Sequence, residues 1–211
     1  MFNNTKILLA DDHSVVRRGV SLILKEVFPT ITILHAESLN EVLTIMNPES
    51  VDLLILDINL PGGNSSGMIE KAREVHPSVK ILMFSAFDEE QYALRYLYSG
   101  ANGYLNKLTS EEKIVEAVNV ILEGGKYVSD KVKEKILENT LNGTPHNPLE
   151  ALSNREMQIV TLLAKGEGNL EIANRLNIQM STVSTYKNRV FEKLDVSNIV
   201  SLVEKYKLYS E

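Results

Sequence analysis

Five reactive side chains sit at equivalent places in this chain, at the ends of short, largely apolar runs. Asp11 and Asp12 follow Lys6–Ala10, Asp57 follows Leu53–Leu56, Ser85 follows Val79–Phe84 and Lys107 follows Gly103–Asn106. A lone aspartate in such a place usually marks where a strand surfaces and turns. Acids, an acid, a hydroxyl and an ammonium at the ends of four runs suggest one shared site. Clustered carboxylates repel one another unless a divalent cation neutralises them. A hard cation held by one or two carboxylates and a phosphoryl oxygen is the expected use of Mg²⁺. The metal and Lys107 would draw charge from a phosphoryl group, Asp57 would attack it, and Ser85 would donate a hydrogen bond to the new phosphoryl oxygen. The competing reading is a set of structural salt bridges at strand ends.

The elements that must position these groups follow from periodicity. Leu53–Leu56 is a continuous apolar run, as expected of a strand buried on both faces. Strands are expected at 6–10, 31–34, 53–56, 79–84 and 103–106. Helices are expected from Val15 to Val27, from a Ser38 cap to Met46, at 68–75, from Asp88 or Glu89 to Tyr98, and from a Ser110 cap to the Gly124-Gly125 pair. Five strands alternating with five helices argue a doubly wound parallel sheet, because parallel strands need helical crossovers. No Gly-x-Gly-x-x-Gly follows the first strand and no Gly-x-x-x-x-Gly-Lys occurs, so nucleotide binding has no support.

Bulk properties narrow the class further. The 211 residues carry a net charge of −6 and contain no cysteine, which excludes a disulfide framework and a thiolate metal site. No stretch approaches the roughly 20 apolar residues of a membrane span, and the start does not read as a signal peptide. A cytoplasmic protein with no membrane partner is expected. From Leu149 onward, eight Lys/Arg balance eight Asp/Glu, so the whole −6 belongs to residues 1–148. DNA binding by the second half must therefore rest on a local patch.

That second half has its own organisation. Val128–Leu141 reads as an amphipathic helix with Val132, Ile136 and Leu137 on one side, followed by turn formers from Asn142 to Pro148. Residues 149–211 read as four short helices. Ser153 with Glu156 forms a capping box, Gly166-Glu-Gly-Asn169 is a turn, a short helix stops near Asn177, Ser181-Thr182 cap a third helix, and Ser197 or Asn198 caps the last. Two helices joined by a tight turn, the second showing short polar residues near its start, suit the major groove of double-stranded DNA. Ser184, Thr185, Lys187 and Asn188 form that outward set, and Lys187, Arg189 and Lys193 against Glu192 leave the helix locally basic. By pattern alone, a generic helical interaction module is equally open.

Residues 5–125 resemble the receiver domain of two-component response regulators, through Asp11-Asp12, Asp57 with Pro61 four residues on, Ser85 and Gly103-Tyr-Leu-Asn-Lys107. Leu152-Ser-Asn-Arg-Glu156, Gly166-Glu-Gly-Asn-Leu-Glu-Ile-Ala173 and Ser181-Thr-Val-Ser-Thr-Tyr-Lys-Asn-Arg-Val190 resemble the LuxR-type helix-turn-helix of the NarL/FixJ family. The resemblance implies a flavodoxin-like five-stranded receiver over 1–127, a linker helix and linker over 128–148, and a DNA-binding domain over 149–211. It implies that Asp57 accepts a phosphoryl group from a sensor histidine kinase. It further implies that Asp12, Asp57 and the Asn59 carbonyl bind Mg²⁺ with Asp11 acting through water, and that Ser85 and Tyr104 report the phosphoryl group.

In the second domain the resemblance puts Ser184, Thr185 and Asn188 at bases and Thr182, Lys187 and Arg189 near phosphates. A homodimer formed on phosphorylation would set two recognition helices about 34 Å apart. Several departures accompany the match. Ser65 stands where the family usually has glycine, with Gly67 two residues on, so the loop after Pro61 is expected to be longer. Leu108 replaces a common proline, and Ser184 and Leu170 replace common lysines. Two other readings remain. One is an aspartate-nucleophile phosphohydrolase, which would want an acid where Asn59 stands; the other is a transcription factor that is never phosphorylated.

Overall fold

The computed structural model of the chain describes residues 4–47, 50–63, 67–142 and 147–210. The expected longer loop at Ser65 and most of the expected linker lie outside the described residues. The chain divides into two compact units, Met1–Leu137 and Glu138–Glu211.

The first unit is built on five parallel strands: β1 (Lys6–Ala10), β2 (Thr32–Ala36), β3 (Leu53–Leu56), β4 (Lys80–Ser85) and β5 (Gly103–Asn106). They lie in the order β2-β1-β3-β4-β5. Side chains alternate faces along a strand, and here each face meets its own helices. Ile7, Leu9, Leu53, Ile55, Leu82, Phe84 and Leu105 pack with α1 (Ser14–Val27) and α5 (Glu111–Leu122). Leu8, Ala10, Leu54, Leu56, Ile81, Met83 and Tyr104 pack with α2 (Leu39–Met46), α3 (Gly67–Val75) and α4 (Glu89–Tyr98). All four residues of β3 are buried, as an apolar run without alternation requires.

The second strand runs to Ala36 rather than stopping at Leu34. Its backbone pairs with β1 as far as Ala10–Ala36, and Asp11 N continues the ladder to the Ala36 carbonyl at 3.1 Å. Side-chain polarity at His35 hid this, because an edge strand can pair without burying both faces. Beyond α5, Tyr127 adds a one-residue bridge beside Gly103. A Cβ on Gly103 would stand 2.6 Å from the Tyr127 carbonyl oxygen, so only glycine admits this close approach.

The helix expected at 128–141 is α6 (Asp130–Asn142). Val128 and Val132 join the α4 side of the core, with Ile136 packed against it. Leu137 was expected on the same side but is exposed; it follows Ile136 by about 100° of helical turn, which carries it off the contact face. Lys131 pairs with Glu90 at 2.9 Å, and Lys135 donates to the Glu90 carbonyl at 2.9 Å, so α6 is tied to the first turn of α4.

The second unit holds α7 (Asn154–Ala164), α8 (Asn169–Leu176), α9 (Met180–Leu194) and α10 (Ile199–Tyr209), preceded by a 3₁₀ turn at Pro148–Ala151. Ile159, Val160, Leu163, Ile172, Val183, Val190, Leu194 and Leu202 form its core. The Ser153–Glu156 capping box is present, with Ser153 N donating to Glu156 Oε2 at 2.7 Å. Asn177 ends α8 in the left-handed region at φ 52°, a conformation asparagine tolerates better than most residues. Helix α9 begins at Met180, before the hydroxyls expected to cap it, and the side chain of Gln179 at its N-cap makes no capping bond. Ser181 and Thr182 are inside the first turn, where the Ser181 carbonyl accepts from Thr185 Oγ1 at 3.0 Å. Asn198 caps α10, its Oδ1 accepting from Ser201 N at 2.9 Å.

Glu156 does more than cap. Its side chain is buried and accepts from Lys193 Nζ at 2.8 Å, while the same ammonium donates to the Ala151 carbonyl at 3.0 Å. Lys193 is thereby withdrawn from the basic patch counted on α9. Burial pushes the Glu156 carboxyl up, but hydrogen bonds from Lys193 and Ser153 outweigh it and hold the group at about 2. A folded value below the unfolded one stabilises at pH above about 4.5, and that stability is lost as pH falls through about 2. Glu156→Ala is expected to cost about 2 kcal/mol at pH 7, combining a lost cap with a lost charged hydrogen bond. Amide hydrogen exchange across α7 in the full chain would read this as faster opening, and the difference from wild type should shrink as pH falls toward 3.

Candidate functional site

In a sheet of order 2-1-3-4-5 the crossovers leave β1 in opposite directions, and a crevice opens at the carboxyl ends of β1 and β3. Asp11 and Asp57 stand at those two ends. Both are buried, and between them lies Lys107 from the end of β5. Its Nζ is 2.6 Å from Asp11 Oδ2 and 2.8 Å from Asp57 Oδ2. Burial pushes the Lys107 ammonium down, yet the hydrogen bonds to Asp11 and Asp57 overcome this and leave it raised. The lysine is thus charged at any physiological pH, as a group that must neutralise two carboxylates should be.

The loop after β1 is held from two sides. His13 N donates to Asp11 Oδ1 at 2.9 Å, and the buried Arg17 donates to the Asp11 carbonyl and pairs with Glu37. Asp12 is more open, its Oδ1 lying 2.7 Å from His13 Nδ1. Ligand atoms of Asp11, Asp12, His13 and Asp57 all fall within 4.8 Å of one another. Asp11 Oδ2 is buried without a well-aligned hydrogen bond. The carboxyl groups of Asp11, Asp12 and Asp57, converging at the mouth of this crevice, are a donor set that fits a hard divalent cation. Asn59 is an exposed residue of the loop after β3.

Ser85 ends β4, and Tyr104 lies within the neighbouring β5. Ser85 is buried, with Oγ accepting from Phe87 N at 3.3 Å. Tyr104 is fully buried beneath α4, and its hydroxyl donates to the Phe87 carbonyl at 3.1 Å. Burial raises the Tyr104 phenol well above its ordinary value, so it stays neutral and a donor. Asn106 Nδ2 also donates to the Phe87 carbonyl, at 3.0 Å, and Asn106 N donates to Glu89 Oε1 at 3.1 Å. One carbonyl therefore couples the β4–α4 loop to β5. Leu108, beyond Lys107, is 89% exposed at the rim.

In the second unit, Thr185, Asn188 and Arg189 are exposed on α9, while Thr182, Ser184 and Lys187 are half-buried. Lys187 lies over the Phe191 ring at 6.0 Å and Arg189 over the Tyr186 ring at 5.8 Å, which limits how each cation can swing. Asp11, Asp12, Asp57, Ser85 and Lys107 were readable from strand ends, whereas Tyr104 came from the resemblance to receiver domains. His13 and Arg17 were not singled out. For His13 the available signal was a titratable residue directly after two acids; for Arg17, a cation on the inward stripe of α1.

Residues 7–119 match the model of the response regulator receiver domain, and residues 150–206 match that of the bacterial regulatory proteins of the luxR family. The oxygen regulatory protein NreC of Staphylococcus carnosus is 34% identical over 212 residues, covering 94% of this chain and 95% of that protein. The fimbriae Z protein of Escherichia coli K12 is 30% identical over 205 residues, covering 97% of each. Among solved structures, RcsB from Salmonella enterica serovar Typhimurium bound to promoter P1flhDC in the presence of phosphomimetic BeF3⁻ superposes with a TM-score of 0.80. At 24% identity, with 98% of this chain and 99% of that one covered, it shares the fold. Among the described residues, no helix is long and apolar enough to cross a membrane. A receiver fold with acids, a hydroxyl and a lysine at its strand ends, followed by a helix-turn-helix unit, makes this chain a DNA-binding two-component response regulator of the NarL/FixJ family.

Proposed function

We propose that Asp57 is the phosphoacceptor and that its phosphorylation by a sensor histidine kinase controls transcription through the DNA-binding domain. The observation that carries this is the convergence of Asp11 and Asp57 within 2.8 Å of the Lys107 ammonium nitrogen. Asp11, Asp12, Asp57 and the Asn59 carbonyl would hold Mg²⁺, which when bound offsets the negative charge of carboxylates and phosphoryl oxygens. An Asp57 oxygen bonds to phosphorus as the phosphorus–nitrogen bond to the kinase histidine breaks, and that nitrogen keeps the electron pair. Lys107 draws charge from the transferring group and Ser85 supplies a hydroxyl to the phosphoryl oxygen. Ser85 Oγ accepts from Phe87 N without committing its own proton, and the loop that carries Phe87 meets Tyr104 and Asn106 through the Phe87 carbonyl.

Receiver, linker and DNA-binding domain are taken as 1–127, 128–148 and 149–211, acting in the cytoplasm. Thr182, Ser184, Thr185, Lys187, Asn188 and Arg189 form the DNA-contacting set, with Ser184, Thr185 and Asn188 on the face turned toward bases. Exposed Ile199 and Val200 on α10 support a homodimer on DNA. The RcsB structure on promoter DNA with a phosphomimetic supports the same reading by fold alone.

The test is a band shift with operator DNA selected by the chain itself. A small phosphodonor with Mg²⁺ should tighten binding by about tenfold, the 1.4 kcal/mol end of ordinary coupling between sites, and chelation of the metal should remove the gain. Equal binding in all arms would instead favour a regulator independent of phosphorylation.

A further inference from the structure

Ser184 lies on the face of α9 assigned to base edges, yet its hydroxyl is already engaged. Its single proton goes to the Met180 carbonyl one turn back, at 3.2 Å, the i−4 bond that short hydroxyl side chains make inside helices. The oxygen is left to accept, and Asn169 Nδ2, from the first residue of α8, donates to it at 3.2 Å. Thr185 likewise spends its proton on the Ser181 carbonyl at 3.0 Å. Neither hydroxyl retains a proton for a base.

The same bonds fix the carboxamide of Asn169. Because Ser184 can only accept, the amide nitrogen must face it, which leaves Asn169 with Oδ1 and a second N–H. A carboxamide offering one acceptor and one donor matches the N6 and N7 edge of adenine. Asn169 is half-buried and its carboxamide is braced on the recognition helix, so it loses little rotamer freedom when it binds. A lysine at 184, common in the domains this one resembles, would bring a flexible cation in place of this neutral pair.

We propose that Asn169 is a specificity-determining residue for DNA, that Ser184 acts by holding its carboxamide, and that the pair reads an adenine-containing step in the operator. This rests on α9 being the base-facing helix. Recognition is thereby shared between the first turn of α8 and the base-facing side of α9, and Ser184 is a positioning residue rather than a reader.

The experiment is selection of duplexes from a randomised pool by the full chain, treated with phosphodonor and Mg²⁺. Wild type is compared with Asn169→Ala, Ser184→Ala, the double variant and Ser184→Thr. The two alanine variants and the double are expected to lose preference at the same base position, each by about tenfold, the double no more than either single. Ser184→Thr keeps the hydroxyl and its i−4 bond, so it keeps the preference. Circular dichroism of each variant confirms that the helices persist. If Ser184→Ala shifts one position and Asn169→Ala weakens all duplexes alike, Ser184 reads directly and the proposal is overturned. If wild type itself selects no sequence, the underlying assignment of α9 fails instead.

Discussion

With Asp57→Asn, the full chain should take up essentially no phosphoryl group from a small donor in Mg²⁺, a fall of at least about a hundredfold in rate, or about 3 kcal/mol in barrier. The amide has nearly the volume of the carboxylate, and its oxygen can still accept from Lys107, which now lies 2.8 Å from Asp57 Oδ2. The fold should therefore persist while the nucleophile is gone. Intact mass before and after incubation reads the outcome, and peptide mapping locates any residual label. Asp12 is the more exposed neighbour, and it offers the strongest challenge. If the variant is labelled there at the wild-type rate, the acceptor was never Asp57. Asp11 is a weaker competitor, because one oxygen receives His13 N and the other lies against Lys107.

Much of this site could be read before any coordinates, for a definite physical reason. Parallel strands buried on both faces leave a long apolar signature, and the polar residue that ends each one must surface at the same edge of the sheet. Leu53–Leu56 announces its own burial, and Asp57 its place. Tyr104 was less determined, since a strand aromatic suits a core as well as a switch; its bond to the Phe87 carbonyl comes from the β4–α4 loop, which carries no periodicity. What stayed hidden depends on tertiary contact. Lys193 looked like a phosphate contact until Glu156, 37 residues away, claimed it. Ser181 and Thr182 looked like caps because hydroxyls favour both an N-cap and, through i−4 bonds, a first turn. The Asn169–Ser184 bond joins residues 15 apart on different helices, and no local pattern signals it. Resemblance supplied roles that spacing alone left open, chiefly the choice of double-stranded DNA over a generic protein partner.

The second large effect concerns the ammonium rather than the nucleophile. Lys107→Met keeps most of the apolar stem but leaves Asp11 and Asp57, both nearly sealed from solvent, without the charge that each now touches. Removing one partner from a buried ionic cluster costs about 3–5 kcal/mol, because the remaining charges are uncompensated. Asp12 and His13 are open to water on one side, so the lower part of that range is expected. For a chain of this size about 3 kcal/mol corresponds to a fall in unfolding temperature on the order of 10 °C. A divalent cation can do what the lysine did. Mg²⁺ should therefore raise the midpoint of the variant more than that of wild type, since any ligand stabilises by its occupancy of the folded state and the variant's site binds a dication without a competing ammonium. Thermal unfolding of both proteins in chelator and in Mg²⁺ provides all four values. Equal midpoints in chelator would mean that the two carboxylates do not depend on Lys107. Equal gains on adding Mg²⁺ would mean that the cation binds away from Asp11 and Asp57. The pattern expected instead, a deep loss in chelator and a large recovery with the metal, would tie the lysine, the two acids and the cation to one shared pocket at the carboxyl ends of β1 and β3.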